Sequence, residues 1–321
     1  MEIVERILIF REKVNMFINR NNIIFRFVGK FILAMIVFQS LNQMFGYSSF
    51  LEQRSVAAAG SLICMFIPYT YSYVVFSAIC VCHLIHVSAD ITLLFIGCTL
   101  FFYVIYNRNF KNFGYLTVMT AILLPTNLSA LVPIFVGIFS GPLGIPPMLM
   151  GIIIYFFSTT LDRAILELNK SATSYRQLYQ IVLDQMISNK EMILCLVCFV
   201  ITALIAGQLY RLKVNYAWPT AIPAAGIIHA LMYLYGGFLM EIEIPVADVI
   251  ISFVISVIIL ELLQFFRCLI DYSRVENLQF EDDEYYYYVK AVPKIRMEED
   301  DISIKKITEV RSLIRKREKK E

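Results

Sequence analysis

Long runs without charge, separated by short charged clusters, dominate this chain. No Asp, Glu, Lys or Arg occurs in 31–51, 55–89, 91–107, 112–161, 192–210, 214–240 or 249–260. A helix crosses a bilayer with roughly 20 apolar residues, and several of these runs reach that length. The pattern predicts an all-α polytopic membrane protein with about eight embedded segments, some of them short or re-entrant.

The run lengths do not divide into plain crossings. As one straight helix, residues 55–89 would reach about 52 Å, against a hydrocarbon core of about 30 Å. Pro68 lies near their middle, so two short legs broken at Ile67-Pro68-Tyr69 are expected, as two thin crossings or as a re-entrant hairpin. Residues 214–240 hold Pro219, Pro223 and Gly236-Gly237, and a half-depth hairpin is the preferred reading, with a single tilted helix as the alternative. Residues 112–161 hold Pro125, Pro133, Pro142, Pro146 and Pro147 and the string Ser140-Gly-Pro-Leu-Gly-Ile-Pro-Pro. Breaks at membrane depth need protein or a wet cavity around them. Two crossings are expected there, with the broken stretch at the outer side.

Charge placement sets the orientation. Lys and Arg gather on the cytoplasmic side; six lie in the first thirty residues and thirteen in 267–321. Both ends are therefore expected inside, together with Arg108 and Lys111. The resulting division is a surface helix over 1–24, a first membrane unit over 25–107 and a broken centre over 108–161. A cytoplasmic amphipathic connector over 162–190, a second unit over 191–266 and a cytoplasmic tail over 267–321 complete it. In 1–24, Ile3, Ile7, Phe10, Val14 and Phe17 recur at helical spacing, as in helices that lie along a membrane surface, and the segment lacks the pattern of a signal peptide. Ser174 with Gln177 offers a capping box in the connector. In the tail, the block Glu281 to Lys294 reads as an acidic patch running into a strand-prone run, and Ile302 to Glu321 as a basic amphipathic helix. The two membrane units align weakly, Lys30–Phe38 with Glu191–Phe199 and Ser88–Ile96 with Val246–Val254, which suggests an internal duplication that sets Asp90 opposite Asp248.

Composition sharpens this picture. The chain of 321 residues is 59% hydrophobic, 17% charged and +2 in net charge, which excludes nucleic acid as a partner. The lipid bilayer is the first partner. Cys195-x-x-Cys198 has a redox or zinc spacing, yet inside an apolar helix a thiol packs as a small hydrophobe.

Few residues carry chemistry, and no catalytic set, cofactor motif or metal site is read. His83, His86 and Asp90 stand at i, i+3 and i+7, so a single helix would present them on one face. That arrangement suits a proton relay or a divalent ion, and equally an outer polar interface. His229 stands alone in an apolar run and suits a bond to a freed carbonyl. Glu261 interrupts the run before Arg267; intramembrane acids commonly mark ion pathways, while snorkelling or pairing with Arg26 or Lys30 explains it equally. These five are the candidate intramembrane polar residues.

The tail Asp271-Tyr-Ser-Arg-Val-Glu-Asn-Leu-Gln-Phe-Glu-Asp-Asp-Glu-Tyr-Tyr-Tyr-Tyr-Val-Lys-Ala-Val-Pro-Lys and the loop Val214-Asn-Tyr-Ala-Trp-Pro resemble an uncharacterised family of multi-pass membrane proteins of clostridial-type bacteria. The resemblance implies a bacterial cell membrane and brings no activity or site residues. The first functional expectation is a non-enzymatic scaffold or assembly component that docks a cytoplasmic or membrane protein partner through its cytoplasmic elements. The second is a transporter or channel with its site among broken helices.

Overall fold

Apolar runs of this kind fold as helices because, in lipid, each backbone N–H and C=O must find its partner within its own segment. The computed structural model describes residues 2–171, 178–212, 217–267, 276–281 and 286–291. They divide into two units, 20–267 and a smaller one formed by 1–19 with 268–321.

In the smaller unit, α1 (Glu2–Arg20) leaves Ile7, Phe10, Met16 and Phe17 exposed and buries Arg11. An antiparallel hairpin of β1 (Glu276–Glu281) and β2 (Tyr286–Ala291) pairs Leu278 with Val289 and Phe280 with Tyr287. The strand-prone tail reading falls on β2. The capping box at Ser174 and the basic helix 302–321 lie outside the described residues.

The larger unit holds α2 (Asn22–Phe45), α3 (Arg54–Phe66), α4 (Ser72–Leu84), α5 (Ala89–Phe102), α6 (Gly114–Leu123) and α7 (Leu131–Phe135). It continues with α8 (Ile145–Ser171), α9 (Leu178–Ile187), α10 (Lys190–Tyr210), α11 (Ala217–Met240) and α12 (Val246–Arg267). Six helices among the described residues are long and apolar enough to cross a membrane: α2, α5 with its π-turn to Asn107, α8, α10, α11 and α12. Ile23, Leu93 and Phe238 are 73%, 67% and 80% exposed, which suits lipid and not water as the surrounding solvent. The apolar window of α8 is 61% buried against 6% for α2, so α8 is the axial helix and α2 lies at the rim.

Side-chain contacts sort the helix ends into two groups. At one end Lys30 donates to the Ile67 carbonyl at 3.0 Å, Tyr106 donates to the Leu143 carbonyl, and the Arg267 guanidinium sits 4.6 Å over the Phe139 ring. Arg20, Arg26, Lys30, Arg108, Lys111, Arg211 and Arg267 belong to this end, and its segments hold no Asp or Glu. At the other end Tyr47 donates to Asp162 at 2.5 Å and Lys190 donates to the Met240 carbonyl at 3.1 Å. There α9 packs Leu178 and Val182 into the cluster of Phe45, Leu84 and Ile91.

This sorting corrects several expectations. The break at Ile67-Pro68-Tyr69 is present, and its two legs, α3 and α4, each run from one end group to the other. The half-depth hairpin expected in 214–240 is absent from the described residues 217–240, because α11 is continuous over its 24 residues. Pro223 removes one interior hydrogen bond, but buried Ala221, Ile222 and Ala225 hold that turn in place. Gly236 and Gly237 admit the side chains of Leu194 and Ile244 instead of making a turn. With α11 continuous, Asp162 and Lys190 belong to the end group opposite that of Arg267. The duplication also fails: α2 and α10 run in opposite directions while α5 and α12 run the same way.

The half-depth element lies where plain crossings were expected, in 114–140. Helix α6 runs beside the first half of α8, and a methyl added at Gly151 would meet the Thr117 carbonyl oxygen and the Thr120 Cβ, each at 2.6 Å. Ten residues carry α6 about 15 Å, against about 40 Å for the 27 residues of α8. The chain then turns over 124–130 and returns through α7 and a π-turn at Val136–Ser140. Gly141, at φ 65, ends the return. Pro142 opens a 3-10 turn, and Pro146 and Pro147 stand in the first turn of α8, where their missing N–H groups leave no bond unmade. The proline-rich stretch therefore sits at the basic end and not at the opposite one.

Two substitutions of the same kind are expected to act oppositely. Gly151→Ala drives a methyl into backbone and should cost about 1–3 kcal/mol. Gly29→Ala meets nothing within 4 Å and should hold or gain up to about 1 kcal/mol of helix propensity. Thermal unfolding of the purified variants in one detergent checks both signs.

Burial, and then the bond to Asp162, hold the Tyr47 hydroxyl well above its ordinary range. A pKa raised by folding contributes stability that is complete below the unfolded value near 10 and is lost above it. Tyr47→Phe should therefore lower stability at pH 8 and narrow its difference from the parent as pH rises past 10, read from unfolding at each pH.

Candidate functional site

The half-depth turn 124–130 is satisfied locally. Thr126 N–H bonds the Leu123 carbonyl at 3.0 Å, Thr126 Oγ1 donates to the same carbonyl at 2.7 Å, and Ser129 N–H bonds the Thr126 carbonyl at 3.3 Å. Its far side is pinned to α12: Ser252 Oγ accepts from the Ala130 N–H at 3.1 Å and meets Ser129 Oγ at 3.1 Å. Pro125, Thr126 and Asn127 stay exposed at the tip.

A close approach at the base holds the return leg. A methyl at Gly137 would collide with the Ala203 carbonyl oxygen and the Ala206 methyl of α10, and one at Gly207 would lie 2.9 Å from the Gly137 carbonyl. Only small residues let backbones approach this closely in an apolar medium.

Between the tip and helices α8, α10, α11 and α12 lies a cavity of about 310 Å³, with the 242–245 loop on its wall. Its mouth carries Glu191, Glu243 and Asp248, all exposed at the acidic end. Tyr155 and Phe156 of α8, Phe199 of α10 and Tyr233 of α11 line it further in. His229 also lines it and is only 4% exposed. Its Nδ1 lies 3.0 Å from Thr202 Oγ1, and its ring stacks on Tyr233 at 5.9 Å and meets Phe199 edge-on at 5.4 Å. Nε2 has no hydrogen-bond partner among the described residues. Among the described residues, no Lys or Arg lines the cavity.

Of the five sequence candidates, His229 alone reaches this cavity. It bonds a threonine hydroxyl and not a freed carbonyl. His83, His86 and Asp90 do not share a face, because α4 ends at Leu84 and α5 begins at Ala89. His83 is buried with Nε2 3.1 Å from Asn42 Oδ1, joining α4 to α2, whereas His86 and Asp90 are exposed. Glu261 stands 13 residues beyond Asp248 on α12, about 20 Å along the axis, toward the basic end. Lys30, one of its expected partners, is engaged with the Ile67 carbonyl. Among the described residues, no three His, Cys, Asp or Glu are placed to hold a metal ion. Cys195 and Cys198 are buried free thiols of α10.

The tip, Ser252, Thr202 and the aromatic walls were missed from sequence. Serine and threonine inside apolar helices carry no pattern, since most bond their own preceding turn, as Thr120 does to Leu116. The one available signal was Pro125-Thr-Asn in the middle of a charge-free run.

No protein family, curated protein or solved structure matches the chain. The geometry therefore carries the functional reading.

Ser252→Val removes the acceptor of the Ala130 N–H, and a buried donor left unmet costs about 1–3 kcal/mol. Amide exchange over 124–132 should accelerate at least tenfold, with α8 unchanged, when followed by mass spectrometry.

Proposed function

We propose that the larger unit is a solute-translocating body, a carrier or channel, with its site in the cavity above the half-depth hairpin. One observation carries this reading: an irregular turn ends halfway along the bundle at the floor of an acid-mouthed cavity. Non-helical backbone at membrane depth is tolerated where it is covered by protein or lines a water-filled space. Broken helices that meet near the midplane are how transporters commonly build their sites.

The basic end carries Arg20, Arg26, Lys30, Arg108, Lys111, Arg211 and Arg267, whereas the opposite end mixes its acids with Arg54, Arg163 and Lys190, so the positive-inside rule favours the basic end as the cytoplasmic one. Both termini are then cytoplasmic, and the cavity opens outward together with 162–190. The tail's resemblance to clostridial-type membrane proteins supports a bacterial cell membrane as the location. With α3 and α4 as thin crossings and 114–140 as a re-entrant hairpin, eight crossings and one hairpin result.

A second reading, a scaffold that docks a protein partner, keeps support from the division of the chain into two units, of which the smaller includes most of α1 and the two strands. It loses 162–190 as a cytoplasmic docking element.

Two measurements test the proposal. Ser188 and Asn109 are exposed at opposite ends. Ser188→Cys should react with an impermeant thiol reagent in intact cells, and Asn109→Cys only after permeabilisation, each judged against the parent's own labelling; the reverse order overturns the orientation. In proteoliposomes on a solid-supported membrane, concentration jumps of alkali cations and small amines should evoke a current. Gly137→Leu should abolish it and Glu261→Gln should leave it within twofold. No current above protein-free vesicles for any solute would sink the translocation reading.

A further inference from the structure

We infer that the cavity takes a small alkylammonium cation. The inference rests on reading the cavity as the solute site and names the chemistry of the solute.

Three features converge. The mouth presents the carboxylates of Glu191, Glu243 and Asp248 with no Lys or Arg among the lining residues, and a cleft of one sign with apolar walls concentrates ions of the opposite sign. Lys190, next in sequence to Glu191, donates instead to the Met240 carbonyl at 3.1 Å. Behind the mouth, Tyr155 and Tyr233 supply aromatic rings, and ring faces attract alkylated ammonium groups strongly once water is excluded. Deeper still, His229 is 4% exposed and keeps Nε2 without a hydrogen-bond partner among the described residues while Thr202 engages Nδ1. A nitrogen held in that way serves a polar substituent on the ligand.

Size and donor geometry set the class. A volume of about 310 Å³ lies at the lower end of small-molecule sites and far exceeds a bare ion. A chelated metal needs several donors on one point, and no such group occurs among the described residues. An anion would meet three carboxylates. A neutral apolar molecule would leave the carboxylates and the imidazole unused.

The full chain in lipid nanodiscs gives the test. Methylammonium, tetramethylammonium and choline chlorides are titrated by calorimetry and by thermal shift, against sodium chloride at equal ionic strength. The neutral choline isostere 3,3-dimethylbutan-1-ol is the third arm. Saturable binding and a rise in Tm are expected for at least one ammonium salt and for neither control. Asp248→Asn and Tyr233→Ala should each weaken it at least tenfold, while Tyr233→Phe, which keeps the ring, should stay within threefold. The unliganded Tm of each variant separates loss of site from loss of fold.

An equal response to sodium chloride reduces the effect to ionic screening and overturns the inference. An equal response to the alcohol reduces it to apolar burial, and silence from all three ammonium salts overturns it outright. Ammonium binding without current in proteoliposomes leaves the ligand class standing and removes translocation. Current from alkali cations without ammonium binding does the reverse.

Discussion

Backbone without water is the constraint on which this structure depends. Within a bilayer an unpaired N–H or C=O costs several kcal/mol, so the chain stays helical wherever lipid touches it. Among the described residues of the larger unit, it departs from the α-helix at depth between 124 and 140. There it is enclosed by α8, α10 and α12, with Ala130 N–H answered by Ser252 and the π-turn closed by the bond from Gly141 N–H to the Val136 carbonyl at 2.8 Å. The axial position of α8 follows from the same need. A half-depth hairpin must be covered on its sides, and the most buried long helix runs along it.

Some interior polar groups obey this rule on a smaller scale. Thr99 and Thr120 return their hydroxyls to the carbonyl four residues back at 2.8 and 2.7 Å. Such groups sit among apolar neighbours at no cost of an open donor. Others, such as Thr117 Oγ1, Ser256 Oγ and His83 Nδ1, are buried without a hydrogen-bond partner among the described residues, whereas His229 lines the cavity. Glu191, Glu243 and Asp248 avoid the interior altogether by standing exposed at the mouth.

Charge-free runs made the membrane character and the break at Pro68 legible, because both follow from local sequence. The location of the half-depth element was not legible in the same way. Proline and glycine mark 112–161 and 214–240 alike, yet only the first run breaks at depth. In α11, Pro223 loses a single bond and the packing of Ile222 and Ala225 restores the helix. In 124–130, Pro125 comes just after α6, and the turn has Ser252 of α12 to receive it. That partner is more than a hundred residues away in sequence, so no local reading reveals it. The His83, His86 and Asp90 set failed for a related reason. Helical spacing implies a shared face only if the helix continues, and here it stops at Leu84.

The hairpin is held unequally along its length. At its base, Gly137 and Gly207 allow backbone-to-backbone contact with α10, where any added methyl would collide with a carbonyl or a neighbouring side chain. A contact of that kind has no softer alternative position, because close packing resists small displacements. At its tip, two serines and one N–H make the attachment to α12, and hydrogen bonds of this kind at helix interfaces contribute only about 0.6–2 kcal/mol each. The base is therefore held more tightly than the tip at 124–130, the part that forms the cavity floor. Glu191 of α10 and Asp248 of α12, two of the carboxylates at the mouth, stand on the same two helices that hold the base and the tip.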